Sequence, residues 1–169
     1  TSGTSGKPKG APLTHGNIIA VLKAGMEWME DWGAVREKVL GVLPMFHIYG
    51  LALNYALPLS IGAEMVLVPA PKPKLYQAAI TKTRPTVLPG VPTLYDKIIE
   101  WAVETNADLS SIHTSISGAS TLPVETIERW ENATGGRLIE GYGLTETAPI
   151  LAGNPLDGTR RPGYIGLPF

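Results

Sequence analysis

The segment KVLGVLPMFHIYG, from Lys38 to Gly50, joins a short apolar run to a loop that contains aromatic residues and a histidine. An apolar run such as Lys38 to Leu43, ended by Pro44, is typical of a strand buried in a parallel sheet. The loop after it carries His47 between two aromatic residues, an arrangement suited to contact with a ligand. The segment therefore predicts a buried strand with chemically active side chains at its carboxyl end.

The same order of strand, loop and helix recurs along the chain. Further strands are predicted over 63–68, which is expected to be buried, and over 86–88, 114–117 and 137–140. Helices are predicted over 14–30, with Thr14 as N-cap, and over 51–60, 75–82, 93–103 and 124–133. Short connections between alternating strands and helices favour an α/β fold, in which a mostly parallel sheet is flanked by helices on both faces.

Two of the predicted helices carry apolar residues at helical spacing. The first stripe consists of Ile18, Ile19, Leu22, Met26 and Met29. The second stripe consists of Leu94, Ile98, Ile99 and Val103. Apolar residues repeated at this period predict helix faces that pack on the sheet.

Polar and aromatic side chains follow the strands at the points where the strands end. The loops concerned are predicted over 44–50, 89–92, 118–120 and 141–146. Because the carboxyl ends of parallel strands meet at one edge of a sheet, we expect these loops to open on the same side and to form the ligand site.

Three residues of these loops have specific chemistry. Tyr142 is flanked by Gly141 and Gly143, which would leave its ring open to a flat partner such as adenine. Thr145 and Glu146 pair a hydroxyl with the only carboxylate of their loop. One or two protein oxygens facing a triphosphate suit Mg²⁺, which takes its other ligands from phosphate and water.

The chain opens with TSGTSGKPKG, which contains no apolar side chain. Glycines that permit close approach, hydroxyl donors and two lysines predict a loop that binds a polyphosphate. A Walker P-loop is excluded, because Thr1 stands where the first glycine is required and Pro8 stands where the Mg²⁺-binding hydroxyl is required. A flexible Gly/Ser linker is the alternative interpretation.

The composition excludes several kinds of site and partner. The chain has 169 residues, a net charge of −1 and no cysteine, so disulfides, thiolate metal sites and a cysteine nucleophile are excluded. Dispersed charge does not indicate nucleic acid as a partner, and no apolar run is long enough for an integral membrane segment. We expect a cytoplasmic protein with small-molecule substrates. Two alternatives are left open: that a full-length enzyme associates peripherally with a membrane, and that the protein forms a homo-oligomer.

Four motifs resemble, in order and spacing, the signatures of the adenylate-forming superfamily of acyl-CoA synthetases, luciferases and peptide-synthetase adenylation domains. They are TSGTSGKPKG, PMFHIYG, the SGAS that starts at Ser117, and EGYGLTETAP. With the closing GYIGLPF they cover nearly the whole chain. The sequences FHIYG, GVPTLY and EGYGLTE are most similar to those of the fatty acyl-CoA synthetases.

The resemblance implies a role for each matching residue. Thr1, Ser2, Gly3, Thr4, Ser5, Gly6, Lys7, Lys9 and Gly10 would wrap the β- and γ-phosphates of ATP. Adenine would lie among Gly118, Ala119, Ser120, Glu140, Gly141, Tyr142 and Gly143. The catalytic residues would be Thr145 at the α-phosphate, Glu146 on Mg²⁺ and His47 near the acyl carboxylate. The apolar residues after His47 and those around Val91 would help to wall the acyl tunnel.

The resemblance implies ATP-dependent activation of a fatty acid to an acyl-adenylate, followed by thioester formation with CoA. Residues 1–169 would then be one α/β subdomain from the large domain of a longer enzyme. Since the family's Tyr-x-x-Gly-Asp segment, hinge and C-terminal lid domain with its lysine do not follow Phe169, we expect the chain alone to be inactive and to self-associate. The alternatives are an aryl-acid or amino-acid adenylating enzyme and a non-catalytic nucleotide-binding module.

Overall fold

The computed structural model describes residues 6–28 and 36–169. The helix that begins at Ile48 runs through a π-helical segment before it ends. The elements are α1 (His15–Trp28), β1 (Lys38–Gly41), α2 (Ile48–Gly50), a π-helix (Leu51–Ala56), α3 (Leu57–Ile61), β2 (Glu64–Leu67), α4 (Pro73–Thr83), β3 (Val87–Gly90), α5 (Pro92–Thr105), β4 (Thr114–Ser117), α6 (Val124–Thr134), β5 (Arg137–Gly143), a 3₁₀ turn (Thr145–Thr147), β6 (Ile150–Gly153) and β7 (Leu167–Pro168).

The strands form one sheet in the order β2-β1-β3-β4-β5-β6-β7. All pairings from β2 to β5 are parallel, which confirms the predicted mostly parallel α/β fold. The last two strands, β6 and β7, are antiparallel and were not predicted. The apolar run of β6 is only three residues long, from Ile150 to Ala152, and lies between Pro149 and Gly153, whereas β7 contains only Leu167 and Pro168. Such short segments beside proline and glycine do not stand out as strands.

Helices cover both faces of the sheet, as predicted. One face packs against α4, α5 and α6 around a cluster that includes Tyr95, Ile98 and Trp130. The other face carries a smaller cluster, to which Leu53 of the π-helix contributes. Leu22 of α1 packs against that second cluster. The two clusters lie on opposite faces of β4 and β5.

The first helix begins as predicted. Thr14 Oγ1 accepts a hydrogen bond from the backbone N–H of Asn17 at 3.1 Å, and Asn17 Oδ1 accepts one from the N–H of Thr14 at 2.9 Å. These reciprocal bonds satisfy backbone donors that the helix itself leaves free. The predicted end of this helix, and Met29 of its stripe, lie outside the described residues. No helix within the described ranges is long and apolar enough to cross a membrane.

The structure corrects three predictions of burial. Strand β2 is the edge strand, and Leu67 on it is 52% exposed, so the prediction of a buried strand was wrong. Val103 is 78% exposed, because nine residues at 100° each place it on the helix face opposite Leu94. Ile19 is also exposed, although it belongs to the predicted stripe. Self-association of the chain stays a prediction.

Two buried tyrosines hold the carboxyl end of β4. Tyr49 Oη and Tyr95 Oη each lie 2.7 Å from the carbonyl oxygen of Ile116. Tyr49 also reaches the carbonyl oxygen of Gly90 at 3.2 Å, and Tyr95 reaches that of Leu88 at 3.0 Å. Burial raises the pKa of both tyrosines, so each hydroxyl keeps the proton that it donates.

Replacement of Tyr95 by Phe is expected to lower the free energy of unfolding by about 1 kcal/mol, the net value of a buried hydrogen bond. Tyr76 provides a matched control, since it is 1% exposed and its hydroxyl has no partner among the described residues. Tyr76→Phe should leave stability unchanged or raise it. Urea unfolding of both variants checks this, and an equal loss of stability in the two would contradict the role given to the Tyr95 hydroxyl.

Candidate active site

A cavity of about 480 Å³, the main cavity of this description, lies at the carboxyl edge of the parallel strands. It is bounded by the ends of β4 and β5, by the start of α2 and by the turn that follows β5. Its walls are His47, Ile48, Tyr49, Leu53, Ile116, Gly118, Ala119, Gly141, Tyr142, Gly143, Leu144, Thr145, Glu146, Pro149 and Ile150.

Many of the predicted site residues meet in this cavity. They are His47, Gly118, Ala119, Gly141, Tyr142, Gly143, Thr145 and Glu146. Ser120, Glu140, Gly6, Lys7, Lys9 and Gly10 are described but do not line it. The remaining residues of the predicted phosphate loop, Thr1 to Ser5, lie outside the described residues.

His47 is fixed at the entrance to α2. Its Nδ1 accepts a hydrogen bond from the backbone N–H of Tyr49 at 3.2 Å, so His47 is the N-cap of that helix. A neutral imidazole that accepts through Nδ1 carries its proton on Nε2. In that tautomer the ring of His47, which lines the cavity, has an N–H donor at Nε2. Its neighbour Phe46 is 95% exposed and does not line the cavity.

Apolar residues from three elements line the cavity. Tyr49 and Leu53, which lie one turn apart on the same helix, are among the apolar residues after His47 that the resemblance implied as a wall. Ile116 was missed, although its position between two serines on β4 is a signal of strand alternation that could have identified it. Ile150 was also missed, because its strand β6 was not predicted.

Two glycines of the cavity lie in close contact with neighbouring residues. A Cβ at Gly118 would lie 3.2 Å from the Tyr49 ring, and a Cβ at Gly143 would overlap the carbonyl oxygen of Pro149. The sequence suggested that glycines beside Tyr142 leave its ring open. The Tyr142 side chain is 41% exposed, and the structure adds that Gly143 allows the chain to fold back toward β6.

The turn after β5 presents Thr145 and Glu146 to the cavity. Thr147 Oγ1 accepts a hydrogen bond from the N–H of Leu144 at 2.9 Å and lies 2.9 Å from the carbonyl oxygen of Pro149. These contacts close the turn from both sides. Thr147 was not predicted as a site residue, and its role is to hold the turn in place.

The cavity has one charged side chain among the residues that the structure describes. This is the carboxylate of Glu146, and no lysine or arginine of the described ranges lines the cavity. Within the same ranges, no three His, Cys, Asp or Glu side chains come together to hold a metal ion. A cation at Glu146 would therefore need most of its ligands from a bound phosphate or from water.

Val91 does not line this cavity. It lines a second cavity of about 280 Å³, which also includes Pro44, Tyr76 and Lys97. The residues around Val91, which were predicted to help wall an acyl tunnel, therefore do not line the main cavity.

Comparison with known proteins assigns the chain to a family. The profile described as AMP-binding enzyme matches residues 1–169, which is the whole chain. The chain belongs to the AMP-binding enzyme family. This confirms the resemblance to adenylate-forming enzymes that the four sequence motifs indicated.

Curated relatives of the chain are CoA ligases. It is 44% identical over 171 residues to a long-chain-fatty-acid–CoA ligase of Bacillus subtilis, covering 100% of the chain and 30% of the relative. It is 36% identical over 184 residues to a mitochondrial malonate–CoA ligase of Xenopus laevis, covering 100% of the chain and 31% of the relative. The chain thus spans less than a third of these relatives.

Solved structures of the same family share the fold. A malonyl-CoA ligase with methylmalonyl-CoA and AMP bound superposes with a TM-score of 0.86 at 33% identity, covering 99% of this chain and 36% of that one. An anthranilate CoA ligase in complex with anthranoyl-AMP gives a TM-score of 0.82 at 28% identity, covering 99% and 32%. Both of these solved relatives are CoA ligases that hold AMP or an acyl-AMP.

Gly143→Ala is expected to destabilise the protein by about 2 kcal/mol, because the new methyl group overlaps backbone that has little freedom to move. Gly158→Ala is the control, since a Cβ at Gly158 would meet nothing within 4 Å. We expect Gly143→Ala to lower the unfolding midpoint and the affinity for ATP, and Gly158→Ala to change neither. Equal affinities in both variants would contradict the proposed constraint at Gly143.

Proposed function

We propose that this chain forms the nucleotide- and acyl-binding centre of an ATP-dependent fatty acyl-CoA ligase. Such an enzyme activates a fatty acid to an acyl-adenylate and then transfers the acyl group to the thiol of CoA. The supporting observation is a single cavity with two chemically different walls. One wall is the glycine-rich turn and Tyr142, and the other is the apolar group around Tyr49.

The two walls suit the two halves of an acyl-adenylate. On one side Tyr142 offers an exposed ring face to adenine, with Gly118 and Ala119 permitting close approach of the nucleotide. On the other side Leu53 and Ile116 offer aliphatic surface to an acyl chain. His47 and Thr145 also line the cavity, so we place the reacting carboxylate and the α-phosphate near them.

An uncharged acyl group is favoured over a dicarboxylate or an amino acid. A second carboxylate, as in malonate, would require a cation, and no lysine or arginine of the described ranges lines the cavity. The ammonium of an amino acid would require a buried carboxylate. Glu146 is exposed and lies on the nucleotide side, so it does not meet that requirement.

Mg²⁺ fits the same side of the cavity. Glu146 is exposed in the turn beside Thr145, so it can bind a cation whose other ligands are phosphate oxygens and water. When bound there, the ion would neutralise charge on the triphosphate. We assign Glu146 as its protein ligand and Thr145 as a hydroxyl donor to the α-phosphate.

The proposed reaction has two steps. A carboxylate oxygen of the acid forms a bond to the α-phosphorus of ATP, and the bond from that phosphorus to the bridging oxygen breaks, which releases pyrophosphate. The thiol sulfur of CoA then bonds to the acyl carbon while the bond from that carbon to the phosphate oxygen breaks, which releases AMP, and the thiol proton passes to solvent. The acid is already ionised at neutral pH, so His47 is proposed to donate a hydrogen bond through Nε2–H to the carboxylate rather than to remove a proton.

Carboxylate-dependent exchange between ATP and pyrophosphate tests the function. Because the chain spans less than a third of its curated relatives, the full-length protein is the sample to use. We expect exchange with fatty acids and none with malonate, aryl acids or amino acids. Exchange with another acid alone would overturn the acyl assignment. Nucleotide binding without exchange for any acid would favour the non-catalytic module.

His47 variants test the proposed donor. Asn at position 47 retains a short N-cap acceptor for the helix but loses the Nε2–H donor. We expect His47→Asn to keep the unfolding midpoint and to slow exchange on the order of a hundredfold, the loss found when one transition-state donor is removed. Gln carries an amide N–H near the position of Nε2, so His47→Gln should recover part of the rate. Equal rates in both variants would contradict a role for Nε2–H.

A further inference from the structure

The helix α1 is held to the rest of the fold by few buried contacts. Among its fourteen residues, all of them described, only Gly25 is buried. Leu22 and Met26 pack against the smaller apolar cluster, as does Ile150 of β6. Contacts in one region of a helix leave the helix free to tilt about that region. A second attachment is therefore needed to fix the direction of α1.

Trp28, the last residue of α1, supplies that attachment. Its indole Nε1–H donates a hydrogen bond to the carbonyl oxygen of Asn154 at 3.3 Å. Its ring also contacts the ring of Phe169, with the two centroids 4.7 Å apart. A Cβ at Gly153 would lie 3.1 Å from the Phe169 ring and 3.7 Å from Trp28 Nε1, so the glycine leaves room for both rings. One hydrogen bond and one ring contact thus fix the carboxyl end of α1.

Asn154 is a rigid acceptor for the indole. It is 4% exposed, and its N–H donates to the carbonyl oxygen of Glu140 at 3.0 Å. Its Oδ1 accepts a hydrogen bond from the N–H of Arg161 at 2.9 Å, and its side-chain amide donates to the carbonyl oxygen of Tyr164. Because these bonds use both the backbone and the side chain of Asn154, its carbonyl oxygen has little freedom to move.

The attachment of Trp28 lies on the two strands that carry the nucleotide wall. Ala152 of β6 pairs with Tyr142 of β5. Phe169 is held on the same strands, since its N–H donates to the carbonyl oxygen of Leu151 at 3.1 Å. Trp28 therefore fixes α1 relative to the strand that presents Tyr142 to the main cavity.

The amino end of α1 follows the predicted phosphate loop, residues 1–10, of which 6–10 are described. Seven residues separate His15 from Leu22, which is about 10 Å along the helix axis. A tilt of about 5° at Leu22 would displace His15 by about 1 Å. The distances of N–H···O hydrogen bonds span only about 0.5 Å, so such a displacement would break contacts between the loop and a bound phosphate.

We propose that Trp28 is a positioning residue for ATP, which sets the place of the phosphate loop relative to the adenine wall by tying α1 to β5 and β6. The inference rests on the proposed function, in which adenine lies against Tyr142, and on the phosphate loop predicted from sequence. The β- and γ-phosphates of ATP contact that loop, and AMP lacks both. Trp28 therefore affects the binding of ATP more than the binding of AMP.

Two variants of the full-length protein test this role. Trp28→Phe keeps a ring against Phe169 but loses the indole N–H, whereas Trp28→Leu loses both contacts. Titration calorimetry gives the affinities for ATP with Mg²⁺ and for AMP. ATP binding should weaken about fivefold in Trp28→Phe, the scale of one hydrogen bond, and about twentyfold in Trp28→Leu. AMP does not reach the loop, so its affinity should stay within about twofold of wild type.

Trp130→Phe is the matched control. Trp130 is buried in the cluster on the other face of the sheet, and its indole N–H donates to Ser115 Oγ at 3.0 Å. Its ring contacts the Tyr95 ring, with centroids 4.8 Å apart. The variant therefore loses the same kind of hydrogen bond and keeps an aromatic ring. We expect a lower unfolding midpoint and an unchanged ratio of ATP to AMP affinity, which distinguishes a general loss of stability from a displaced loop.

The outcomes separate the inference from the function beneath it. A selective loss of ATP affinity in both Trp28 variants, larger for Leu, supports the positioning role. Equal losses of ATP and AMP affinity, unchanged affinities for both, or the same change of ratio in Trp130→Phe would overturn it. Binding of neither nucleotide by the wild-type protein would contradict the proposed function itself.

Discussion

The carbonyl oxygen of Ile116 is the point where the two cores of the protein meet. It lies 2.7 Å from the hydroxyl oxygens of both Tyr49 and Tyr95, which belong to different apolar clusters. A carbonyl has two lone pairs, so it can accept from both hydroxyls at once. The carboxyl end of β4 is thereby fixed relative to α2 and α5, and the cavity opens directly beside it.

Two turns at strand ends and one helix line different parts of the site. Strand β4 ends in a turn held at both ends, and β5 ends in a turn closed by Thr147. Each turn presents small or polar groups, while the helix that begins after His47 supplies the apolar wall. In the proposed function the apolar wall faces the acid. CoA ligases for different acids, such as the two curated relatives, would then share the two turns and differ in that wall.

Much of this arrangement is predictable from sequence. Apolar runs identified the five parallel strands, and the rule that ligands bind at their carboxyl ends placed His47, Tyr142 and Glu146 in one site. The sequence could not show which strand lies at an edge, because burial of β2 depends on strand order and not on composition.

A crystal structure of the full-length protein bound to a fatty acyl-sulfamoyl adenosine, a stable analogue of the acyl-adenylate, tests the central claim most directly. The account predicts the adenine ring against Tyr142, the sulfamoyl group beside Thr145 and the acyl chain along Leu53 and Ile116. His47 Nε2 should lie within hydrogen-bond distance of the acyl carbonyl oxygen. An analogue bound elsewhere, or bound with its acyl chain pointing away from Ile116, would contradict the proposal that one cavity holds both halves of the intermediate.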